Sequence, residues 1–510
     1  MEENLNPIPE SVPQPAVPPV PEHPYLARGR ELIFGGIILL LSILLCNFIF
    51  YGGFHLAFGL TAAVLIATSW LYLRKSGHRF GRYEKLLLTL SMIISLGFGR
   101  SGDAFVKLVM LLFLFVAVNL ALCIGAGQNR RSPLRATSLL DACRTFYVLG
   151  LGRLGVGVSG LAAGIRRGGQ TTRRIGAVGI GLLLSVPILA IMIGLLMNAD
   201  AAFEGFMDLL PDIELKEYLL SGLFGLLLAW VLYVRGVSLA KDPKPLAAQR
   251  QKKGINVLTV NTVLIMVSFV YAIYLLSQLA YFFGGLSGIL PEDLTLAEYA
   301  RRGFFEMAWL CFLNLGLLCM VIRLIREEKL PRLTKIAGTF ISIITVFLVI
   351  TASAKMFLYI GSYGLTRLRV LTEVIMFWLA LTTVLVTIRL FLPGFGYMKA
   401  VVLTAMLLGT LVLWADVNTL VASYNVKAYR SGKLEAVDVR HIGTLGAAGV
   451  PWLLELAEDK DPQVAAQARD ILDRRSEYRG HYYTIEDFRG WNYIRSQADQ
   501  LMDAYMETSE

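Results

Sequence analysis

The sequence has few charged residues, and this scarcity excludes most soluble protein classes. Only 17% of the 510 residues are charged, whereas 55% are hydrophobic and the mean hydropathy is +0.60. A typical soluble domain carries about 25% charged residues, and a disordered chain combines high net charge with few apolar residues. The composition therefore predicts a multi-pass membrane protein.

Cysteine and catalytic signatures are also scarce. The five cysteines form no CxxC pair and no cysteine–histidine spacing, so we expect neither a disulfide framework nor a metal site. The HExxH, GxSxG, Walker A and kinase patterns are absent, and no cofactor-binding motif stands out. An enzyme is therefore not favoured, although paired carboxylates at the outer face leave an acid/base enzyme open as an alternative.

Proline is concentrated at one end of the chain. Eight of the 18 prolines fall in residues 1–24, and this segment lacks the regions of a cleaved signal peptide. Because proline prevents regular helix, residues 1–28 are predicted to form a disordered, proline-rich cytoplasmic tail.

Long apolar runs dominate the rest of the chain. A helix needs about 20 apolar residues to cross the hydrocarbon core. Eleven spans are predicted, at residues 31–50, 54–73, 84–99, 104–124, 175–197, 217–239, 257–281, 303–324, 336–359, 369–391 and 399–416. The third span is the shortest and could instead be re-entrant.

The loops between these spans alternate in charge. Basic residues crowd loops 74–85, 130–174, 241–253 and 323–335, whereas the intervening loops are short, neutral or acidic, as in 200–217. The positive-inside rule then places the N-terminus in the cytoplasm and the C-terminus outside a bacterial cytoplasmic membrane. The expected partners are the lipid bilayer and anionic lipids at the basic loops, and nucleic acid is not expected.

One basic loop contains a glycine pattern. The long cytoplasmic loop 125–174 includes Gly150-Leu-Gly-Arg-Leu-Gly155, a formal GxGxxG. A dinucleotide site would need a preceding strand and an acidic residue about 20 positions on, where the chain has Gln170. An arginine-rich amphipathic segment on the inner leaflet is the favoured interpretation.

The hydropathy falls after the last span, which divides the chain into a transmembrane domain at 29–416 and an extracytoplasmic helical domain at 417–510. The C-terminal part carries 11 basic and 15 acidic residues, against 37 and 23 in residues 1–416. Residues 441–472 have the apolar spacing of an antiparallel helix pair joined at 458–462, similar to one unit of a HEAT-type repeat. A single unit cannot form a solenoid, so we expect a small helical cap docked on the membrane domain.

Ionisable residues inside spans are costly and are candidates for function. Lys107 and Arg389 lie near span ends and are expected to snorkel to the surface. Glu298, Arg302 and Glu306 are spaced i, i+4, i+8 on one helix face. Arg369 with Glu373 forms a second i, i+4 pair, in a helix for which Thr366 is the predicted N-cap.

Under the predicted topology these residues share the outer ends of spans eight to eleven, which predicts one polar cluster covered by the C-terminal domain. The cluster could bind a ligand or ion, or it could consist of ion pairs that only hold helices together. Its predicted members are Glu298, Arg302, Glu306, Lys355, Tyr363, Arg367, Arg369, Glu373, Asp416 and Asn425.

Three segments resemble a bacterial family of multi-pass membrane proteins that is defined by a conserved domain of unknown function. They read EYARRGFFE at 298–306, YGLTRLR at 363–369 and DVNTLVASYN at 416–425. A weaker match spans 437–451, where Val437 and Gly449 depart from the family pattern. The resemblance supports the architecture and implies no established activity.

The sequence thus predicts an all-α polytopic transmembrane helix bundle of about 11 spans with a small helical C-terminal cap. The favoured function is a transporter-like or ligand-sensing membrane protein whose polar site opens to the outside. A structural or scaffold role in the cell envelope is the main alternative.

Overall fold

A computed structural model describes the chain at residues 29–129, 138–155, 215–242, 255–286, 304–325, 330–477 and 488–509, with a few isolated positions between 156 and 214. These residues form helices and turns without a strand. The α-helices are α1 Gly29–Asn47, α2 Leu56–Lys75, α3 Arg82–Gly97, α4 Ala104–Gly125, α5 Ser138–Arg144, α6 Leu215–Lys241, α7 Val257–Leu286, α8 Phe304–Leu324, α9 Arg332–Tyr363, α10 Arg367–Phe391, α11 Tyr397–Ala415, α12 Val417–Arg430, α13 Val439–Thr444, α14 Val450–Ala457, α15 Pro462–Glu477 and α16 Tyr493–Ser509.

Short non-α turns extend several of these helices. In the part of the chain that the structure describes, π-helical turns occur at Phe48–Gly52 after α1 and at Thr145–Gly150 after α5. Turns of 3-10 helix occupy Leu151–Arg153, Gly446–Gly449 and Phe488–Gly490.

The prediction of an all-α membrane bundle is confirmed. Within the described ranges, nine helices are long and apolar enough to cross a membrane. The predicted third span appears as α3, a helix of 16 residues, and the predicted fifth span at 175–197 lies almost entirely outside the described residues. The nine helices, α3 and this last segment together accommodate about eleven spans.

The two ends of the bundle are identified by contacts between α1 and α6, which run antiparallel. At one end Lys241 Nζ lies 3.1 Å from Glu31 Oε1, and at the other Asn47 Nδ2 donates to Ser221 Oγ at 3.4 Å. We call these the basic end and the cap end. The helix α3 runs from the basic end, next to Lys75, to the cap end, where Gly97 packs on α11.

The C-terminal segment docks on the cap end. Tyr493 N donates to Gly99 O at 2.8 Å in the α3–α4 turn, and Asn492 Nδ2 donates to Ser101 O at 3.0 Å in the same turn. Leu56 N, at the start of α2, donates to Trp491 O at 3.3 Å. These contacts tie residues 491–493 to two turns of the bundle that are about 400 residues away in the chain.

Apolar packing continues from the bundle into the cap. One buried cluster includes Phe34 and Leu87 from the spans together with Leu453 and Met502 from the C-terminal helices. Two further clusters lie among α7, α8, α9 and α10. The helix α11 links two of these clusters, because Leu413 belongs to the first cluster and Val401 belongs to one of the two others.

Two local sequence interpretations can be compared with the fold. The helices predicted around 441–472 are present as α14 and α15, which pack together, although α13 is separated from α14 by a 3-10 turn. The glycine pattern begins at the π-helical turn that follows α5. A helix thus precedes it, so the dinucleotide interpretation lacks its strand.

Candidate functional site

Asp416 connects the last span to the cap. It lies between α11 and α12, it is fully buried, and it is the described non-glycine residue with positive φ, at 51°. Its Oδ1 accepts hydrogen bonds from Gly102 N at 2.8 Å and Ser101 Oγ at 3.2 Å. Its Oδ2 accepts from Thr419 N at 2.9 Å and Thr419 Oγ1 at 2.7 Å, which caps α12. One carboxylate therefore joins a span, the α3–α4 turn and the cap.

A second buried carboxylate lies beside it. Asp103 is 1% exposed and caps α4 by accepting from Val106 N at 2.8 Å. Its other oxygen forms an ion pair with Arg367 Nη1 of α10 at 3.1 Å. The turn from Gly97 to Asp103 thus contains one buried carboxylate, that of Asp103, and binds a second, that of Asp416.

A buried lysine and a histidine lie next to these acids. Lys107 Nζ lies 3.2 Å from His55 Nδ1, and Asp103, Asp416 and Arg495 are close enough to act on the Lys107 charge. Burial lowers the pKa of His55 to about 3, and the charges of Lys107 and Arg495 act in the same direction. His55 is therefore neutral, and its Nδ1 can accept the lysine hydrogen bond.

The prediction for Lys107 was wrong. Its position near a span end suggested that it snorkels to the surface, but the residue is only 5% exposed. The long side chain turns into the protein, where its Nζ lies 3.2 Å from His55 Nδ1 and where the buried Asp103 and Asp416 carboxylates attract its charge.

A small cleft opens next to Asp416. It has a volume of about 60 Å³ and is lined by residues of the α3–α4 turn, α12, the 3-10 turn Gly446–Gly449, α14 and α16, among them Arg100, Thr419, Tyr493 and Gln497. Arg100 Nε donates to Trp414 O at 2.6 Å, and its guanidinium lies 5.0 Å from the centre of the Tyr493 ring. A volume of this size accommodates a few water-sized groups.

A second polar set surrounds the turn between α9 and α10. Asn425 of α12 clamps Leu365, because its Oδ1 accepts from Leu365 N at 2.6 Å and its Nδ2 donates to Leu365 O at 2.9 Å. Arg369 donates to the carbonyl oxygens of Gly364 and Tyr363 and lies over the Tyr359 ring. This set fixes the cap on the turn through backbone atoms.

The structure separates the predicted cluster into groups. Asp416 and Arg367 belong to the buried charged site, whereas Tyr363, Arg369 and Asn425 belong to the neighbouring turn. We refer to Asp103, Lys107, His55, Arg367 and Asp416 as the cap-end cluster.

The remaining predicted members lie elsewhere. Glu306 is exposed at the start of α8, and Lys355 is partly exposed on α9. Glu373 lies beside Ser353, and Arg369 bonds backbone oxygens in place of the predicted pair with Glu373. Thr366 is at the helix start, but its hydroxyl makes no cap hydrogen bond. Glu298 and Arg302 lie outside the described residues.

Asp103 and His55 of the cap-end cluster were not among the predicted site residues, and neither was Ser101, which donates to Asp416. Asp103 could have been found as a helix cap, because it precedes an apolar run by one residue. His55 and Ser101 carry no local signal, since their role comes from residues far away in the chain. Among the described side chains, no group of three His, Cys, Asp or Glu residues is placed to hold a metal ion.

Comparison with known proteins identifies the family. Residues 34–456 match the profile described as "Domain of unknown function (DUF4153)". The chain therefore belongs to this family, and the prediction of a family defined by a domain of unknown function is confirmed. The matched range includes the N-terminal third and ends in α14, so α15 and α16 lie beyond it. No curated protein and no solved structure matches the chain.

Proposed function

We propose that this integral membrane protein is a ligand sensor that binds a small anionic group in the cleft beside Asp416. The observation that carries the proposal is the double role of Thr419. It lines the cleft, and its backbone and hydroxyl groups both donate to the buried Asp416 carboxylate. A ligand in the cleft would contact the first turn of α12, whose position is fixed to the α3–α4 turn through Asp416.

The charge around the cleft supports an anionic ligand. Arg100 lines it directly, and its guanidinium is the cationic group that an anion in the cleft would meet. The nearby acids are already engaged, because Asp416 accepts four hydrogen bonds and Asp103 pairs with Arg367. The cleft volume suits a carboxylate or phosphate group at the end of a ligand.

The shape of the spans favours sensing over transport. Transporters commonly bind substrate at broken helices near the membrane midplane. In the described part of the chain the candidate spans are continuous, including the 32-residue α9. The charged groups of the cap-end cluster lie at one end of the bundle, where they connect the cap to three spans. A contact of this kind is needed to transmit a signal from the cap to the spans.

Ligand binding, and the transmission of its effect to the α3–α4 turn, can be tested together. Purified protein in neutral-lipid nanodiscs would be titrated with acetate, succinate, inorganic phosphate and glycerol phosphate while thermal stability and hydrogen exchange are followed. A ligand at 100 times its dissociation constant adds about 2.7 kcal/mol to stability. We expect such a gain for at least one anion, together with slower exchange at residues 98–103.

Variants assign the effect to the cleft. Arg100→Gln should abolish the gain, whereas Arg440→Gln, at an exposed position of α13, should retain it. Thr419→Val should keep some binding but lose the protection of residues 98–103. Uptake of the bound anion into proteoliposomes would instead identify a transporter and contradict the sensor proposal.

A further inference from the structure

Arg235 is a buried charge at the opposite end of the bundle. It lies on α6, six residues before Lys241, and only 5% of it is exposed. With a rise of about 1.5 Å per residue, it is about 9 Å along the helix from that basic residue. It was not among the predicted site residues, although it lies inside the predicted span 217–239.

One edge of its guanidinium group has no partner. Nε and Nη2 are both buried, and among the described residues neither donates a hydrogen bond. These two nitrogens point their hydrogens in the same direction, along the edge with which arginine binds two oxygens of a carboxylate or phosphate. The unpaired atoms are therefore a matched pair of donors.

The surroundings fix this edge in place without neutralising it. The guanidinium lies 5.9 Å from the centre of the Phe146 ring, and the Cβ of Arg235 would lie 3.6 Å from a Cβ added at Gly150. The thiol of Cys123 is close enough to act on the charge of Arg235. Phe146 and Gly150 belong to the π-helical turn after α5, a type of distortion that often occurs at functional sites.

A buried guanidinium without an anion is unfavourable, since it has lost its hydration and gained no opposite charge. Lys241, about 9 Å away along the helix, belongs to the basic loop that is predicted to face lipid phosphates. We propose that the Nε and Nη2 edge of Arg235 binds an oxyanion with phosphate chemistry, carried by a lipid headgroup or free in solution. This site is distinct from general attraction of anionic lipid to the exposed basic loops.

Thermal stability with and without an anion tests the site. The full chain would be purified in a neutral detergent and melted alone, with inorganic phosphate, or with dioleoylphosphatidylglycerol. The variants are Arg235→Met, which keeps the side-chain length without charge, Arg235→Lys, which keeps charge without the two-donor edge, and the control Arg82→Gln at an exposed position near the same end.

The anion is expected to reverse the order of the melting temperatures of the wild type and Arg235→Met. Without anion, Arg235→Met should melt at least as high as the wild type, because the uncompensated charge is removed. With the correct anion, the wild type and Arg82→Gln should gain about 2 °C or more, Arg235→Lys should gain less, and Arg235→Met should gain nothing.

The experiments with the two anions distinguish a lipid headgroup from a free oxyanion as the ligand. A gain with phosphatidylglycerol alone assigns a lipid headgroup, and a gain with inorganic phosphate assigns a free oxyanion. Equal gains for the wild type and Arg235→Met would show a nonspecific effect and overturn the proposal. Failure of every anion to stabilise the wild type would overturn it as well. Neither outcome bears on the cleft beside Asp416, which lies at the other end of the bundle.

Discussion

At the residue scale, the buried carboxylates of the cap end are stabilised by hydrogen bonds from fixed groups. Asp416 accepts four hydrogen bonds, two of them from backbone N–H groups whose positions are set by a helix start and a turn. Asp103 combines a helix cap with an ion pair. Such charged hydrogen bonds contribute about 1.5–3 kcal/mol each, so these acids hold the turn, the spans and the cap in one arrangement.

Replacing Asp416 by asparagine tests this role. Asparagine tolerates positive φ, so the backbone is kept. Its single side-chain oxygen can accept from only one of the two donor pairs, Ser101 with Gly102 or the two Thr419 groups, and its NH2 group then faces the donors of the other pair. We expect a loss of about 2 kcal/mol or more in the free energy of unfolding, measured by denaturant unfolding in detergent micelles.

The matched control is Asp438→Asn. Asp438 also caps a helix, accepting from His441 N at 2.8 Å, but it is exposed. Asparagine caps an exposed helix start about as well as aspartate. The free energy of unfolding of the Asp438→Asn variant should therefore change little. Similar losses for both variants would contradict a special role for Asp416.

At the element scale, small residues let α1 and α6 pack closely. A Cβ added at Gly225 of α6 would lie 2.5 Å from Ile43 Cα of α1, which shows that the two backbones meet there. Membrane helices associate through such contacts because lipid offers no hydrophobic driving force between them. This packing positions Arg235 and the ends of both helices.

A pair of glycine variants tests the α1–α6 contact. Gly225→Ala should separate the helices and lower stability by about 1–3 kcal/mol, because the obstructing atoms belong to backbone. Gly222→Ala on the same helix meets no atom within 4 Å and should be neutral or stabilising. Melting temperatures in one detergent provide the measurement, and equal effects would show that the contact is not close.

At the scale of the whole molecule, the contacts agree with the alternation of loop charge. The turns predicted to face outward, including those at 98–103 and 364–366, meet the cap at one end. The turn at 76–81 and the end of α6 meet at the other, where His78 Nε2 lies 3.1 Å from Ala240 O. The contacts define two ends, and the positive-inside rule predicts which of them is cytoplasmic.

Cysteine labelling of intact cells tests this orientation. The five native cysteines would be replaced, and single cysteines placed at Ser76, Ser362 and Ser431, which are all exposed. A membrane-impermeant maleimide should label Ser362→Cys and Ser431→Cys but not Ser76→Cys. The opposite pattern would place the cap in the cytoplasm and direct the search for the cleft ligand to cytoplasmic metabolites.

The sequence by itself determined the class of protein, the positions of most spans and the alternation of their loops. These properties depend on local sums of hydropathy and charge, which a short window of residues contains. It also identified Asp416, Arg367 and Asn425 as candidates, because ionisable or polar groups at span ends are rare enough to stand out.

Only the tertiary structure decided which of these residues act together. Asp416 bonds a turn more than 300 residues earlier, Lys107 turns inward to His55, and Glu373 does not pair with Arg369. The unpaired edge of Arg235 is likewise visible only in three dimensions. Partner choice depends on how helices pack and on where backbone donors point, and neither is encoded in the spacing of residues along one helix.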